Sequence, residues 1–257
     1  MAQLSVRNVT KRFGGLVANE AISFEVEQGA LFAVIGPNGA GKTTLFNTIS
    51  GFFPPSEGSL MFDGEDITGL QQSVIAGRGL IRTYQLVQLF KDLSVAENVK
   101  VGFHRVTKGG IGAALLRPRW CREQEANVES EAEKLLAFVG LAGRADLLAD
   151  RLPYGQQRLL EVARALAAAP KLILLDEPAA GLNTAETEAL ADVILRVNAR
   201  GITVILVEHD MSLVMKVAQR IVVLDFGKKI AEGTPEEIRA HPDVIAAYLG
   251  GTETSDA

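Results

Sequence analysis

The sequence predicts an α/β fold built on a mostly parallel sheet, with an antiparallel β subdomain and an inserted helical subdomain. Three observations lead there. Gly36-Pro37-Asn38-Gly39-Ala40-Gly41-Lys42-Thr43 matches the phosphate-binding loop pattern G-x-x-x-x-G-K-[ST] at every fixed position. Apolar runs of strand length recur at 31–35, 172–175, 202–207 and 221–224, with helical stretches between the last three, as crossover connections require. From about 87 to 165, Ala, Leu, Glu and Arg dominate and β-branched runs are few, which is the composition of helix.

The elements follow in order. Residues 1–30 and 56–70 read as short strands with turns, such as Ser59-Leu60-Met61-Phe62 closed by Asp63-Gly64. Ile22-Ser23-Phe24-Glu25-Val26-Glu27 alternates apolar and polar, the pattern of a half-buried antiparallel strand, and ends at Gly29. Leu31-Phe32-Ala33-Val34-Ile35 is a buried strand feeding the glycine-rich loop, and Thr44-Leu45-Phe46-Asn47-Thr48-Ile49 continues as helix. In the helical block, Leu159, Val162, Ala163 and Leu166 fall at i, i+3, i+4 and i+7, one apolar stripe. Thr234-Pro235-Glu236-Glu237 is a capping box with proline at the first helical position. The expected organisation is one domain over 1–250, its helical subdomain at about 87–165, followed by a polar tail at 251–257.

The bulk numbers narrow the class. An apolar fraction of 47% and a charged fraction of 22% are those of a soluble globular protein. No apolar run approaches the ~20 residues of a membrane helix, and Met1-Ala2-Gln3-Leu4-Ser5-Val6-Arg7 has no signal-peptide segment. The single Cys121 cannot form an intrachain disulfide, which suits a reducing compartment. A net charge of −5 gives no general attraction to nucleic acid. The expectation is a cytoplasmic chain that reaches a membrane only through a partner.

The chemistry begins at the loop. Backbone N–H groups of the loop can turn inward around phosphate oxygens, Lys42 adds a positive charge, and the Thr43 hydroxyl can bind Mg²⁺. Thr44 opens the helix whose positive end faces the same anion. The strand Leu172-Ile173-Leu174-Leu175 ends in Asp176-Glu177. Asp176 sits where α/β sheets bind ligands and can hold Mg²⁺ through water; Glu177 can polarise the attacking water. An acidic pair after a strand alone would mark only a strand end meeting solvent.

A third segment decides among nucleotide-binding folds. Leu152-Pro153-Tyr154-Gly155-Gln156-Gln157-Arg158 precedes a helix just before the carboxylate strand, and it resembles the signature of ABC-transporter ATPases. The usual form is Leu-Ser-Gly-Gly-Gln, so Pro153 and Tyr154 depart from it. The resemblance covers roughly residues 4 to 249. It implies that Phe13 stacks on adenine, that Gln85 reaches Mg²⁺ or water and senses a membrane partner, and that His209 contacts the γ-phosphate. Asn183, in Ala180-Gly181-Leu182-Asn183, replaces the aspartate of the loop that crosses to a second subunit. Two subunits then sandwich two ATP molecules head to tail, with Tyr154, Gly155 and Gln156 serving the opposite subunit. Permease subunits dock near Gln85 and residues 86–95.

A finer resemblance rests on the Tyr154-Gly155 variant, the run Glu177-Pro178-Ala179-Ala180-Gly181-Leu182-Asn183, Glu208-His209-Asp210-Met211 and the ending Pro242-Asp243-Val244-Ile245-Ala246-Ala247-Tyr248-Leu249-Gly250. These look like the ATP-binding subunit of bacterial branched-chain amino-acid importers. That likeness implies two permeases, a second ATPase subunit and, indirectly, a periplasmic binding protein, with this chain peripheral on the inner face of the cell membrane. Related subunits serving urea or lipopolysaccharide share the pattern. A DNA-repair ATPase would carry a coiled coil or zinc insert before the signature, and a ribosome-acting one two ATPase modules; the sequence has neither.

Overall fold

The computed structural model describes residues 2–83, 88–105 and 119–249. The chain falls into two compact units, one of Met1–Arg82, Lys171–Ala180 and Ile194–Ala257, the other of Thr83–Pro170 and Gly181–Val193. The expected helical subdomain of about 87–165 lies inside the second. Gln85 and the tail 251–257 lie outside the described residues.

The first unit holds two sheets. In a six-stranded sheet, β3 (Leu31–Ile35) lies between β8 (Thr203–Val207) and β9 (Arg220–Asp225). Next to β8 come β7 (Leu172–Asp176) and then β6 (Leu80–Arg82) at the edge, while β10 (Lys228–Gly233) closes the other edge. Every pairing is parallel except that of β9 with β10. Every residue of β3, β7 and β8 is buried, which is why these strands read as unbroken apolar runs rather than alternations. Burying each large side chain there contributes about 1.5–3 kcal/mol.

The antiparallel sheet runs β2 (Leu16–Glu27), β1 (Ala2–Phe13), β4 (Glu57–Phe62), β5 (Glu65–Asp66). Its first two strands are twelve residues each, not the short strands expected. The pairing register shifts between Val6 and Val9, and Asn8 and Ala21 take left-handed backbone with φ of 47° and 49°. Leu4 and Val6 therefore face the core, and the next inward residue is Val9, one position late. The bulges break the alternation that would have announced long strands. Phe24 on β2 stacks on Phe32 of β3 at 5.3 Å, joining the two sheets in one core.

The first unit also carries helices. α1 is Lys42–Ile49, α2 is Gln72–Arg78 and α7 is Met211–Val217. The second unit packs α3 (Val95–Gly102) and α4 (Arg119–Phe138) against α5 (Tyr154–Ala167), with the first turns of α6 (Thr184–Ala199). Among the described residues no helix is long and apolar enough to cross a membrane. α8 (Pro235–Arg239) begins with the expected capping box, Thr234 and Glu237 exchanging both bonds, and α9 is Pro242–Leu249.

α5 departs from a simple stripe. Val162, Ala163 and Leu166 are buried, but Leu159 is half-buried while Leu160 is fully buried, as are the charged Arg158 and Glu161. A helix flanked by α3 and α4 buries more than one face. Burial raises the pKa of Glu161, opposed by the Gln88 N–H and by Arg158 at 3.2 Å.

Candidate functional site: a phosphate loop and a paired carboxylate

The loop between β3 and α1 is shaped by positions that exclude a side chain. Gly36 has φ 151°, and a Cβ there would collide with the Leu224 carbonyl. Gly41 has φ 93°, and a Cβ there would strike the Ala18 carbonyl and the Asn19 amide. The fully buried Asn19 donates to the Gly41 carbonyl at 3.1 Å. The Gly227 N–H donates to the Ala40 carbonyl at 3.1 Å. Strand β2 and the β9–β10 turn thus hold the loop open. α1 starts at Gly41 without a side-chain cap, leaving its first N–H groups for an anion.

Lys42 is buried, and its ammonium donates to the carbonyls of Gly36 at 2.7 Å and Pro37 at 2.9 Å. Burial lowers its pKa, opposed by the Glu177 carboxylate. A cleft of about 380 Å³ opens above the loop, lined by residues 16–18 and 38–44, Glu177, Phe226 and Gly227. It gathers Asn38, Gly39, Ala40, Gly41, Lys42, Thr43 and Thr44. Leu16 and Phe226 are additions that sequence reasoning missed; both are exposed, Phe226 by 87%. Phe226-Gly227 forms the two-residue β9–β10 turn with φ of 41° and 78°. A phenylalanine where Asn-Gly is the favoured pair was the available signal.

The end of β7 and the residue after it carry the two carboxylates, of which Glu177 lines this cleft. Asp176, the last residue of β7, is almost fully buried, and its Oδ2 accepts from Arg82 Nη2 at 2.6 Å. Its Oδ1 is buried with no hydrogen-bond partner among the described residues. An orphaned carboxylate oxygen, on a residue that Arg82 links to the helix following the phosphate loop, fits a hard divalent cation with oxygen ligands. Glu177 has φ 45°, a left-handed backbone that a non-glycine residue adopts only when its surroundings impose it. Its N–H donates to Val207 O at 2.9 Å, and His209 Nδ1 stands 3.9 Å from its Oε2.

Glu208 lies beneath them, fully buried. Its carboxylate accepts from the N–H groups of Ala179 at 2.7 Å and of His209 at 3.0 Å. Burial raises its pKa, opposed by those bonds. Glu208 ties the chain after Glu177 to the start of α7, which Asp210 caps. Phe13 lies at the end of β1, 46% exposed, its ring edge-on to Phe53 at 5.3 Å with Lys11 over both rings.

In the second unit Pro153 is the N-cap of α5 and supplies no side-chain bond. Tyr154 is exposed at the start of the helix, and Gly155 is buried where a Cβ would press on the Glu186 carboxylate. Gln156 Oε1 is buried without a partner among the described residues. Asn183 caps α6: its Oδ1 accepts from Glu186 N at 3.0 Å while Glu186 accepts from Asn183 N at 3.1 Å.

A phosphate loop, a strand-end carboxylate pair and a signature-like helix start define an ATP-binding cassette. The chain belongs to the ABC transporter family, whose profile matches residues 19–180. A second profile, branched-chain amino acid ATP-binding cassette transporter, matches residues 228–254. The chain is 45% identical over 248 residues to the high-affinity branched-chain amino acid transport ATP-binding protein BraF of Pseudomonas aeruginosa, covering 96% of this chain and 97% of the relative. It is 42% identical, with the same coverage, to LivG of Escherichia coli K12. Among solved structures it is similar to the ADP conformation of the ATP-binding cassette MJ1267. There the TM-score is 0.85 and the identity 33%, covering 97% of this chain and 99% of that one. It is also similar to the dimeric cassette MJ0796, with TM-score 0.76, 25% identity and coverage of 90% and 98%. Cassettes of this family bind ATP and ADP and hydrolyse ATP to power transport, and the ATP-binding subunits of amino-acid importers work with permease subunits.

Proposed function

We propose that this chain is the ATP-hydrolysing subunit of a membrane importer for branched-chain or related amino acids. The observation that carries the substrate class is the branched-chain cassette profile at residues 228–254, on top of whole-length likeness to BraF and LivG. Lys42 and the backbone of Gly36 through Gly41 hold the phosphates, with the uncapped start of α1 at Lys42, Thr43 and Thr44 adding its N–H groups. Phe13 stacks on the adenine. Thr43, Asp176 and Gln85 are the residues that would hold Mg²⁺, which when bound neutralises phosphate charge. Glu177 takes a proton from the attacking water, and His209 contacts the γ-phosphate. Tyr154, Gly155 and Gln156 at the start of α5 meet the nucleotide of a facing cassette.

The partners in this reading are two permeases, a second ATPase subunit and, through the permeases, a periplasmic binding protein. The chain then sits at the cytoplasmic face of the cell membrane. The test is removal of its gene in the host, followed by uptake of labelled leucine, isoleucine and valine, with urea as control. Loss of amino-acid uptake, restored by the wild type and not by Lys42→Ala, is expected. Unchanged amino-acid uptake with loss of urea uptake would overturn the substrate class.

A further inference from the structure

We infer that Arg82 is a positioning residue for Asp176, holding one carboxylate oxygen so that the other serves the metal side of the nucleotide site. This rests on the reading of Asp176 given above. Arg82 ends the edge strand β6 and pairs in register with Leu174, two residues before Asp176 on β7. Residues two apart on a strand share a face, so the Arg82 side chain starts beside Asp176. Its guanidinium is held from two directions: Nη2 donates to Asp176 Oδ2 at 2.6 Å, and Nη1 donates to Asn47 Oδ1 at 2.7 Å and Ser50 Oγ at 2.8 Å. The two side chains are 6% and 3% exposed.

Held by Asn47 and Ser50 through Nη1, the rigid guanidinium presents Nη2 from a fixed place and so fixes where Asp176 Oδ2 sits. Oδ2 is committed to the arginine, and Oδ1 is the buried oxygen left without a partner among the described residues. A staple fastening β6 to α1 accounts for the bonds to Asn47 and Ser50. It does not account for the third anchor being the motif aspartate, with its second oxygen left unpartnered. Groups that orient a metal ligand from behind do account for it, and their loss weakens metal affinity by about 10–100-fold.

The test uses the full chain with ADP and Mn²⁺ as the probe, its binding followed by electron paramagnetic resonance. Nucleotide affinity in EDTA and the melting temperature are measured alongside. Arg82→Lys keeps the charge but cannot span Asp176, Asn47 and Ser50 together. It is expected to weaken Mn²⁺ by about 10–100-fold with metal-free nucleotide affinity unchanged. Asn47→Ala/Ser50→Ala leaves the arginine in place but unbraced, and is expected to give a smaller loss of the same kind; it decides the matter if Arg82→Lys does not fold. Wild-type Mn²⁺ affinity in folded variants would overturn the inference, leaving Arg82 a staple. Tighter Mn²⁺ binding would overturn it too, because the arginine would then compete with the metal. Asp176→Asn separates the two levels. If that change leaves Mn²⁺ affinity intact, the site reading itself fails; if it abolishes Mn²⁺ binding while Arg82→Lys does not, only the role of Arg82 falls.

Discussion

The helices that start at the two motifs differ from most of the others in how they begin. α3, α6, α7 and α8 each open on a residue whose side chain caps the first turn, namely Ser94, Asn183, Asp210 and Thr234. α1 opens on Gly41 and α5 on Pro153, and neither supplies a cap; among the described elements the short α2, at Gln71, is also uncapped. The two motif starts differ again from each other. Around α1 stand a buried lysine and a fully buried asparagine, and the loop's carbonyls accept from Lys42, from Asn19 on β2 and from Gly227 in the β9–β10 turn. At α5 stand an exposed tyrosine, a proline and a glycine, so little but backbone N–H is offered. In the function proposed above, the first holds the phosphate chain and the second adds to a phosphate held by the facing cassette, so that affinity for nucleotide belongs to the loop and assembly to the signature.

The largest effect that would sharpen this comparison lies on the loop side. Glu177→Gln keeps the shape and removes the basicity. Turnover is expected to fall by about 10²–10⁴-fold, the usual share of a general base, with nucleotide binding retained and an ATP-bound dimer accumulating. Phosphate release and gel filtration with and without Mg-ATP, using a second ATPase subunit if dimerisation requires one, read both. Near-normal turnover would pass the role to another group, His209 first.

A smaller effect is expected from Phe13→Ala. Stacking on a base is worth about 1–3 kcal/mol, so nucleotide affinity should fall roughly five- to a hundredfold, while Phe13→Trp binds nearly normally. Equal affinity in the alanine variant, by fluorescent-nucleotide titration, would remove Phe13 from the site and leave Leu16 and Phe226 as its apolar wall.

The smallest change tests the signature side. Pro153→Ser gives α5 the cap it lacks, worth about 0.5–2 kcal/mol, so the melting temperature should rise by a few degrees without altering the loop's nucleotide affinity. Changed affinity in the isolated subunit would break the division between the two helix starts.

Much of this was readable beforehand, for identifiable reasons. β3 was expected at 31–35 and lies there, because five buried residues between Gly29 and the loop leave no freedom of assignment. The capping box at Thr234 was also local and explicit. The long strands β1 and β2 were not readable, because bulges at Asn8 and Ala21 shift the inward face by one residue. Arg82 carried no signal: its partner Asp176 is 94 residues away, and only the order of the sheet makes them neighbours. Burial of Arg158 and Glu161 was hidden for the same reason, since one helix's periodicity does not say how many helices flank it.

The β9–β10 turn carries a practical consequence. A two-residue hairpin tip that exposes a phenylalanine resembles the sites where tags, reporters or new chain termini are usually tolerated. Here it would be a poor choice. The Gly227 N–H is bonded to Ala40 of the phosphate loop, its carbonyl accepts from Glu20 N at 2.8 Å, and a Cβ at that position would crowd Ala18. Widening the turn would release it from the phosphate loop and from β2 at once. The turn at Gly201, where a Cβ would meet nothing within 4 Å, is the freer place to insert a probe without touching the nucleotide.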